Sequence, residues 1–372
     1  MPNIYLDYNA STPIDRAVTA AMRPLIDDAF GNPSSDHWAA RPAKRALDNA
    51  RAEVAALLGA APDEIVFTSG GSEANNLALV GTYFVLREPG GHIITQVTEH
   101  PAILKPLAFL ERLGAEVTYL PVDSTGRVDP GAVRRAIRPS TILISVMHAN
   151  NETGTIQPIE EISQIAKENG VRFHTDAAQS LGKIATKVDT LGVDLLSIAG
   201  HKLYAPKGVG ALYVRRGMKI EPLIHGAGHE DGRRAGTESA LLATALGRAC
   251  AIAEDWVGAP DIRNLRDRLW DRLQADLGNR VALNGHPDHR LPNTLNVSFV
   301  GEIGADILAR MPEVAASTGS ACHAGQITLS PVLDAMGVAP KIGLGAIRFS
   351  LGRSTTMTEI DEVAARLQRV FA

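Results

Sequence analysis

The sequence reads Ser197-Ile198-Ala199-Gly200-His201-Lys202 at the end of one short apolar run and Asp176-Ala177-Ala178-Gln179 at the end of another. We expect both runs to be strands, each bringing its polar residues to a cleft at the strand's carboxyl end. A desolvated lysine in such a cleft can form a Schiff base. Lysine with a nearby acid is the pair of groups that pyridoxal phosphate requires of a protein. Either residue alone is most often a surface charge, so the interpretation depends on the surrounding motifs.

The rest of the chain alternates short apolar patterns with helical ones. Strands are predicted at Glu64–Phe67, His92–Thr95, Glu116–Leu120, Thr141–Met147, Val171–Thr175, Leu195–Ala199 and Gly210–Val214. Helices are predicted at Arg41–Leu58, with Gly59 as its end, at Ala102–Leu113 and at Ile159–Asn169. This alternation is typical of an α/β domain whose mostly parallel sheet is covered on both faces.

The pattern changes after about residue 240, which indicates a second domain. The predicted elements there are helices at Leu241–Val257, Ile262–Leu277 and Thr358–Val370 and strands at Thr294–Phe299 and Ala346–Leu351. A length of 372 residues also favours two domains. We predict a large α/β domain at 14–255, and a small α+β domain formed by 1–13 together with 256–372.

Composition and charge argue against several classes of function. The net charge is -4, the isoelectric point is near 6.3 and no basic run stands out, so nucleic acid is not expected as a ligand. No apolar run reaches the roughly 18 residues of a membrane helix, and no secretory signal is visible. With only two cysteines a disulfide framework is not expected, which favours a reduced, cytoplasmic location.

A candidate phosphate site follows the first predicted strand. The stretch Thr68–Asn76 leads into an apparent helix, where Gly70 and Gly71 let the backbone approach an anion and Ser72 offers a hydroxyl near the helix start. A serine-capped helix without a ligand is an equally good interpretation. No Walker loop is present, and no Gly-x-Gly-x-x-Gly with a later acid supports a dinucleotide.

Further polar residues follow other predicted strands, and we expect them at the same edge of the sheet. The residues expected there are Ser72, His100, Asn151, Asp176 and Lys202. The alternative interpretations are a structural histidine for His100 and a polar turn for Asn151. Arg348 interrupts an apolar strand pattern, which suits a carboxylate ligand or a structural salt bridge. The histidine pairs His225/His229 and His286/His289 lie near glycines and prolines, which disfavour a regular helical metal site.

The two cysteines are expected to differ in role. The segment Ser317–Gly325 is rich in small residues and glycine, which predicts an accessible, mobile loop around Cys322. The neighbouring His323 favours the thiolate, which is the nucleophilic form of cysteine. Cys250 lies among alanines in a predicted helix, and we interpret it as buried and inert.

These ordered motifs resemble the cysteine desulfurases, which are pyridoxal-phosphate-dependent members of the class V aminotransferase superfamily. The resemblance covers nearly the whole chain and is carried by Tyr5–Ala10, Gly31–Ser35, Thr68–Asn76, Glu99-His100, His148–Glu152, Asp176–Gln179, His201-Lys202, Arg234–Glu238, Gly319–Cys322 and Ile347–Arg353. The motifs Cys322-His323 and Gly352–Thr356 also resemble selenocysteine lyases. The resemblance implies the type I fold of PLP-dependent transferases and a homodimer.

The resemblance also implies a role for each matching residue. Lys202 would be the Schiff-base lysine, Asp176 would bind the ring nitrogen and Gln179 the ring hydroxyl. The residue implied to stack on the ring is His100, and those implied to hold the phosphate are Gly71, Ser72 and His201, with Thr237 from a second subunit. Asn151 lines the cofactor and, with Arg348, would take the substrate carboxylate.

The reaction implied is the conversion of L-cysteine to L-alanine, with the sulfur transferred to Cys322 as a persulfide and passed to an unidentified acceptor protein, as in iron–sulfur cluster assembly. The alternatives are a selenocysteine lyase, an ordinary aminotransferase and a non-catalytic sulfur carrier. Ala199 departs from the family pattern, since it stands where relatives often carry a phosphate-binding serine. Either one phosphate hydrogen bond is missing or Ser197 compensates.

Overall fold

The chain folds around a sheet of seven strands and a smaller sheet of three. The computed structural model describes residues 3–87, 91–318, 322–323 and 326–371, and for 260, 322–323 and 326–327 only the backbone. The described strands are β1 (Ile4–Tyr5), β2 (Ile65–Thr68), β3 (His92–Gln96), β4 (Glu116–Leu120), β5 (Thr141–Ser145), β6 (Arg172–Asp176), β7 (Leu195–Ala199), β8 (Gly210–Val214), β9 (Val281–Asn284), β10 (Thr294–Phe299), β11 (Val314–Ala315), β12 (Cys322–His323), β13 (Gln326–Ile327) and β14 (Ala346–Ser350).

Helices cover both sheets and fill the connections between strands. The described α-helices are α1 (Arg16–Asp27), α2 (Arg41–Leu58), α3 (Gly71–Leu86), α4 (Pro101–Glu111), α5 (Pro130–Ala136), α6 (Ile159–Glu168), α7 (Val188–Leu191), α8 (Ala240–Ala253), α9 (Pro260–Leu277), α10 (Gly304–Ala309), α11 (Pro331–Ala335), α12 (Pro340–Gly343) and α13 (Met357–Phe371). Within the described ranges, no helix is both long and apolar enough to span a bilayer.

The large sheet has the strand order β2-β8-β7-β6-β5-β3-β4, and all its strands run parallel except β8. Successive residues of a strand point to opposite faces, and here they enter two different cores. Ile93 packs with α3 and α4 on one face, whereas Ile94 packs with α2, α6 and α8 on the other. The predicted α/β fold, with its mostly parallel sheet covered on both faces, is therefore confirmed.

The small sheet is antiparallel, with the order β14-β10-β9, and α9 and α13 pack against it. Its core contains Phe299 and Phe349 from the strands and Leu273 and Leu367 from the two helices. The first residues of the chain join this unit, because Ile4 of β1 pairs in parallel with Val314 of β11. The exact domain bounds stay a prediction.

Helix ends explain where predicted and observed bounds differ. Helix α2 has the predicted bounds and ends at Gly59, whose φ of +69° is the left-handed conformation that favours glycine. Helix α8 ends at Ala253 and not at Val257, because the chain tightens into a 3₁₀ turn at Glu254–Trp256. Helix α9 begins at Pro260, since proline is favoured in the first helical turn.

Candidate active site

A cavity of about 340 Å³ opens at the carboxyl edge of the large sheet, where the sequence predicts a cleft. Residues that follow β2, β3, β5, β6 and β7 line it, together with Asn9 near the chain's start and one residue of β14. The sequence-predicted site residues that line this cavity are Gly71, Ser72, His100, Asn151, Asp176, Gln179, His201, Lys202 and Arg348. The fold thus brings together residues that lie up to 339 positions apart in the sequence, between Asn9 and Arg348.

Lys202 lies in a 3₁₀ turn that begins directly after β7 and carries its amine to the cavity wall. Burial lowers the pKa of this amine; the nearby carboxylate of Asp176 opposes the shift, and the charge of Arg348 adds to it. An amine with a lowered pKa is more often unprotonated near neutral pH, which is the nucleophilic form. The environment of Lys202 therefore suits covalent binding of a carbonyl compound.

Asp176 is the last residue of β6, and two donors hold its carboxylate in place. Asn75 donates from Nδ2 to Oδ2 over 2.7 Å, and the backbone N–H of Ala178 donates to Oδ1 over 2.8 Å. The residue is 7% exposed and lines the cavity. A carboxylate fixed in this way can face a protonated ring nitrogen without having to reorient.

His100 caps a helix, as a structural histidine would, and it also lines the cavity. It precedes α4, and its Nδ1 accepts a hydrogen bond from the N–H of Ala102 at 3.0 Å, which makes it the cap of that helix. The same ring lines the cavity. Burial lowers its pKa, as does the charge of Lys202, so the neutral form is favoured. With Nδ1 as acceptor, the ring proton lies on Nε2.

Glu99, the neighbour of that histidine, is a buried carboxyl group whose state the sequence did not predict. Its Oε1 accepts hydrogen bonds from the N–H of Met147 at 2.6 Å and from Nε2 of Gln96 at 3.0 Å. Burial raises the pKa of Glu99 to about 8, against the effect of the Met147 bond, and the charge of Asp176 adds to the shift. At neutral pH this side chain is mostly uncharged.

The candidate phosphate site is the start of α3. The residue before the helix is Gly70, and no side chain caps the first turn, so interpreting the stretch as a serine-capped helix is wrong. The chain is tight at this point, because a Cβ on Gly71 would lie 3.1 Å from Cβ of Ala199. The open N–H groups and the helix dipole suit an anion. Ser72 lies within this first turn.

Ser197 does not compensate for the alanine at position 199. Its hydroxyl is fully buried and lies 2.9 Å from Nε2 of His174, on the neighbouring strand. The other ring nitrogen of His174 meets the hydroxyl of Ser145 at 2.8 Å. This row of hydrogen bonds crosses three strands inside the sheet, so the possibility that Ser197 reaches the phosphate is wrong.

Arg348 approaches the cavity from the small sheet. Its Nη2 lies 2.7 Å from Oδ1 of Asp7, and its Nη1 donates to the backbone oxygen of Asn151 over 3.0 Å. Its Nε is buried without a partner among the described residues. The structural salt bridge, one of the two alternatives for Arg348, is therefore present, and the role as a carboxylate ligand stays a prediction. A guanidinium with an unused donor at a cavity can still bind a carboxylate.

The comparisons with known proteins agree with this geometry. The family Aminotransferase class-V matches residues 4–363 of the chain. The cysteine desulfurase IscS of Dictyoglomus turgidum is 48% identical over 99% of this chain and 94% of its own length, and that of Methanosarcina thermophila is 47% identical over 97% and 90%. The chain is a member of the cysteine desulfurase family.

Solved structures of related proteins have the same fold. A NifS-like protein superimposes with a TM-score of 0.93 at 35% identity, covering 99% of both chains. A structure described as SspA in complex with cysteine gives a TM-score of 0.82 at 40% identity, covering 94% of this chain and 98% of the other. These matches confirm the resemblance that the sequence motifs indicated.

Of the remaining predicted site residues of this cysteine desulfurase family member, Thr237 does not line the cavity described above, and Cys322 is described through its backbone alone. Thr237 is exposed and lies beside Ser69 and Gly208 in a separate depression, so its predicted role depends on a second subunit. Cys322 pairs through its backbone with Ile327 in the β12–β13 hairpin. Its thiol lies outside the described residues, as do positions 319–321 and 324–325, and the predictions for this loop stay predictions.

Both ends of the Cys322 segment are attached close to the cavity. Ser317 exchanges two backbone hydrogen bonds with Arg348, at 3.2 and 2.6 Å. Ser330 donates from its hydroxyl to the carboxylate of Glu152 over 2.5 Å and caps α11. Cys250, in contrast, is fully buried in α8, where burial raises the pKa of its thiol, so its predicted burial is confirmed.

Among the described residues there is no group of three or more histidine, cysteine, aspartate or glutamate side chains that could hold a metal ion.

Lys183 is a further residue near the site that the sequence analysis did not identify, and it lies close behind the cavity wall. Only its spacing from Gln179, one helical turn, was available as a signal.

Proposed function

We propose that the protein uses pyridoxal 5'-phosphate to convert L-cysteine to L-alanine, with transfer of the sulfur to Cys322. The single observation that carries this proposal is the arrangement of Lys202, Asp176 and the open start of α3 around one cavity. An amine with a lowered pKa, a fixed carboxylate and an uncapped helix start suit the carbonyl, ring nitrogen and phosphate of this cofactor. The residues present therefore fit the group.

The cofactor, when bound, supplies an electron sink for the carbon that carries the substrate's amino group. Lys202 would bind its carbonyl carbon and, once displaced by the substrate amine, take the proton from the substrate's Cα. Asp176 would hold the ring nitrogen and Gln179 the ring hydroxyl. The neutral ring of His100 would stack over the cofactor ring, and Gly71, Ser72 and His201 would hold the phosphate.

Substrate binding and sulfur transfer are assigned to the other side of the cavity. Arg348 and Asn151 would take the carboxylate of L-cysteine. The Cys322 thiolate would attack the substrate sulfur, so that a sulfur–sulfur bond forms as the carbon–sulfur bond breaks. The electron pair of the broken bond stays with the carbon skeleton, which takes up protons and leaves as alanine.

A homodimer is part of the proposal, because Thr237 would complete the phosphate site of a second copy. Exposed apolar side chains support such an interface: Phe30 is 84% exposed, Trp38 76% and Ile26 60%. We further propose that the persulfide passes to an acceptor protein of iron–sulfur cluster assembly in the cytoplasm. The identity of that acceptor is left open.

The decisive experiment adds L-cysteine to the purified protein with its cofactor and measures alanine and sulfide together. Alanine from the wild type, with loss in Cys322→Ala and retention in the matched control Cys250→Ala, would support the proposal. Turnover of selenocysteine alone would favour a lyase, and keto-acid formation with an amino acceptor would favour an aminotransferase. Stoichiometric sulfur release would favour a carrier.

A further inference from the structure

Lys183 is a cation near the cavity for which the proposed reaction has no use. Its Nζ lies 3.1 Å from Oε1 of Gln179 and 3.0 Å from Oδ1 of Asn9. Both partners are almost fully buried, at 3% and 1% exposure. None of the ion pairs among the described residues includes Lys183, so its ammonium is solvated by amide oxygens in place of a carboxylate. Lys183 itself is half-buried, and withdrawing part of a cation from water without an acidic partner costs free energy, which calls for a physical reason.

The chemistry of the ammonium group determines the orientation of the Gln179 side chain. An ammonium can only donate hydrogen bonds, so the atom of Gln179 that faces Lys183 must be the carbonyl oxygen. The backbone oxygen of Asn9 can only accept, so the atom of Gln179 that lies 3.0 Å from it must be the amide nitrogen. Two independent neighbours therefore require the same orientation of this amide.

The same ammonium also orients the side chain of Asn9. Its Oδ1 accepts from Lys183 and, at 3.1 Å, from Nδ2 of Asn293. Its Nδ2 then donates to the hydroxyl of Thr294 at 2.9 Å and to the backbone oxygen of Asn151 at 3.3 Å. Asn9 thereby connects the cavity wall to β10 of the small sheet, and the hydrogen bond from Lys183 fixes the orientation of the Asn9 amide.

We propose that Lys183 is a positioning residue that locks the Gln179 amide so that an N–H, and not the carbonyl oxygen, is available to the cavity. One N–H of Gln179 is used by Asn9, and no hydrogen bond among the described residues uses the other. Gln179 lines the cavity, so this N–H can donate to a ligand. The inference rests on the proposed function, since its acceptor would be the ring oxygen of the cofactor.

The charge around Lys183 is consistent with this role. Burial lowers its pKa to about 7, and the charges of Lys202 and Arg348 add to the shift. The protonated and neutral amines both donate hydrogen bonds, so the orientation of Gln179 persists across this titration. Removing the Lys183 amine, in contrast, lets the Gln179 amide rotate. Its carbonyl oxygen would then face the ring oxygen of the cofactor, and no hydrogen bond could form between them.

The test measures the dissociation constant of pyridoxal phosphate by titrating it into apo-protein, and the pH midpoint of the bound cofactor's visible absorption. The variants are Lys183→Met, Gln179→Leu and the double variant. We expect Lys183→Met to weaken cofactor binding by about tenfold, the scale of one lost hydrogen bond to a charged group. In the Gln179→Leu background, the same substitution should change binding less than about twofold, because Lys183 then has no Gln179 amide to orient.

Two further variants complete the design. Lys187→Met removes an exposed lysine four residues on, whose Nζ donates to the backbone oxygen of Ala56 at 2.9 Å, and it should bind the cofactor like the wild type. Lys183→Arg keeps a donor that cannot accept, so it should restore most of the lost affinity and the wild-type absorption midpoint. It also keeps the test decisive if Lys183→Met does not fold.

Three results would overturn the inference: an equal loss in both backgrounds, wild-type binding and absorption in Lys183→Met, or no restoration by Lys183→Arg. An equal loss would mean that Lys183 acts without Gln179. A wild-type protein that binds no pyridoxal phosphate would instead overturn the proposed function, so the two failures are distinguishable.

Discussion

The large and the small sheet contribute to the cavity in different ways. The large sheet supplies residues at or just after the ends of its strands, such as Asp176 and Lys202, and a side-chain and a backbone donor hold the Asp176 carboxylate. The small sheet supplies Arg348 from the middle of β14, held by Asp7 from the opposite end of the chain. The same arginine is hydrogen bonded through its backbone to Ser317, at the start of the segment with Cys322.

This difference suggests a division of labour. The groups from the large sheet are those that fit a cofactor, whereas the groups from the small sheet are those that fit a substrate and a sulfur-carrying segment. If the division is real, damage to the first set should change the cofactor, and damage to the second should leave the bound cofactor intact.

Among the changes to the large-sheet residues, Lys202→Ala should reduce activity most. Without the amine, alanine formation from L-cysteine should fall at least about a thousandfold, because covalent binding and proton transfer are lost together. The visible absorption of bound pyridoxal phosphate should change as well. Lys207→Ala, which removes an exposed lysine five residues on, is the control and should keep wild-type activity. Substantial activity in Lys202→Ala would refute the assignment.

Glu99→Gln should change stability and not substrate binding. The pKa of Glu99 is raised from 4.5 to about 8 in the folded protein, so the contribution of this group to stability is greatest below pH 4.5 and is lost as the pH rises through about 8. Glutamine resembles the protonated acid and does not titrate, so the variant does not lose stability as the pH rises. Relative to the wild type, the variant should gain a few kcal/mol of unfolding free energy between pH 5 and 8, since each pKa unit corresponds to about 1.4 kcal/mol.

Urea unfolding at several pH values measures this gain. The comparison variant is Glu111→Gln, which changes a glutamate at the end of α4 whose carboxylate accepts from the hydroxyl of Tyr119 at 3.2 Å. That exposed variant should show no comparable pH dependence. A constant stability difference between Glu99→Gln and the wild type across this range would mean that Glu99 is charged when buried.

Arg348→Lys tests whether a residue of the small sheet affects substrate binding without affecting cofactor binding. Lysine keeps the charge but loses the planar fork, so the KM for L-cysteine should rise about ten- to a hundredfold. Cofactor affinity should stay within about twofold of the wild type. Arg369→Lys, at an exposed position in α13, is the control. An equal loss of cofactor binding in Arg348→Lys would contradict the proposed division between the two sheets.

The fold could be predicted well because its signals are local. Apolar runs and the glycines and polar residues that end them place β4, β7, β8 and β10 at the predicted bounds. The carboxyl-edge rule then brings most of the candidate site together without any knowledge of contacts. The Ser72 cap was misjudged because serine is common at helix starts, whereas the tight turn there places Gly70 before the helix.

Long-range partners could not be predicted in the same way. The pairing of Arg348 with Asp7 joins residues 341 positions apart, and no local pattern indicates it. The burial of Glu99 depends on β5 passing beside it, and the environment of Lys183 depends on Asn9. Such states follow from packing between distant segments, so the sequence revealed the presence of these residues but not their charge or their role.

The pairing of β1 with β11 has a consequence for how the molecule is made. Val314 follows Ile4 by 310 residues. At a synthesis rate of about 5–20 residues per second, the first strand waits roughly 15–60 s for its partner to be translated. Asp7 and Asn9 wait longer still, because Arg348 and Ser350 come later. The cavity therefore gains its substrate-facing arginine only after residue 348 has been translated, long after the large-sheet residues that fit the cofactor.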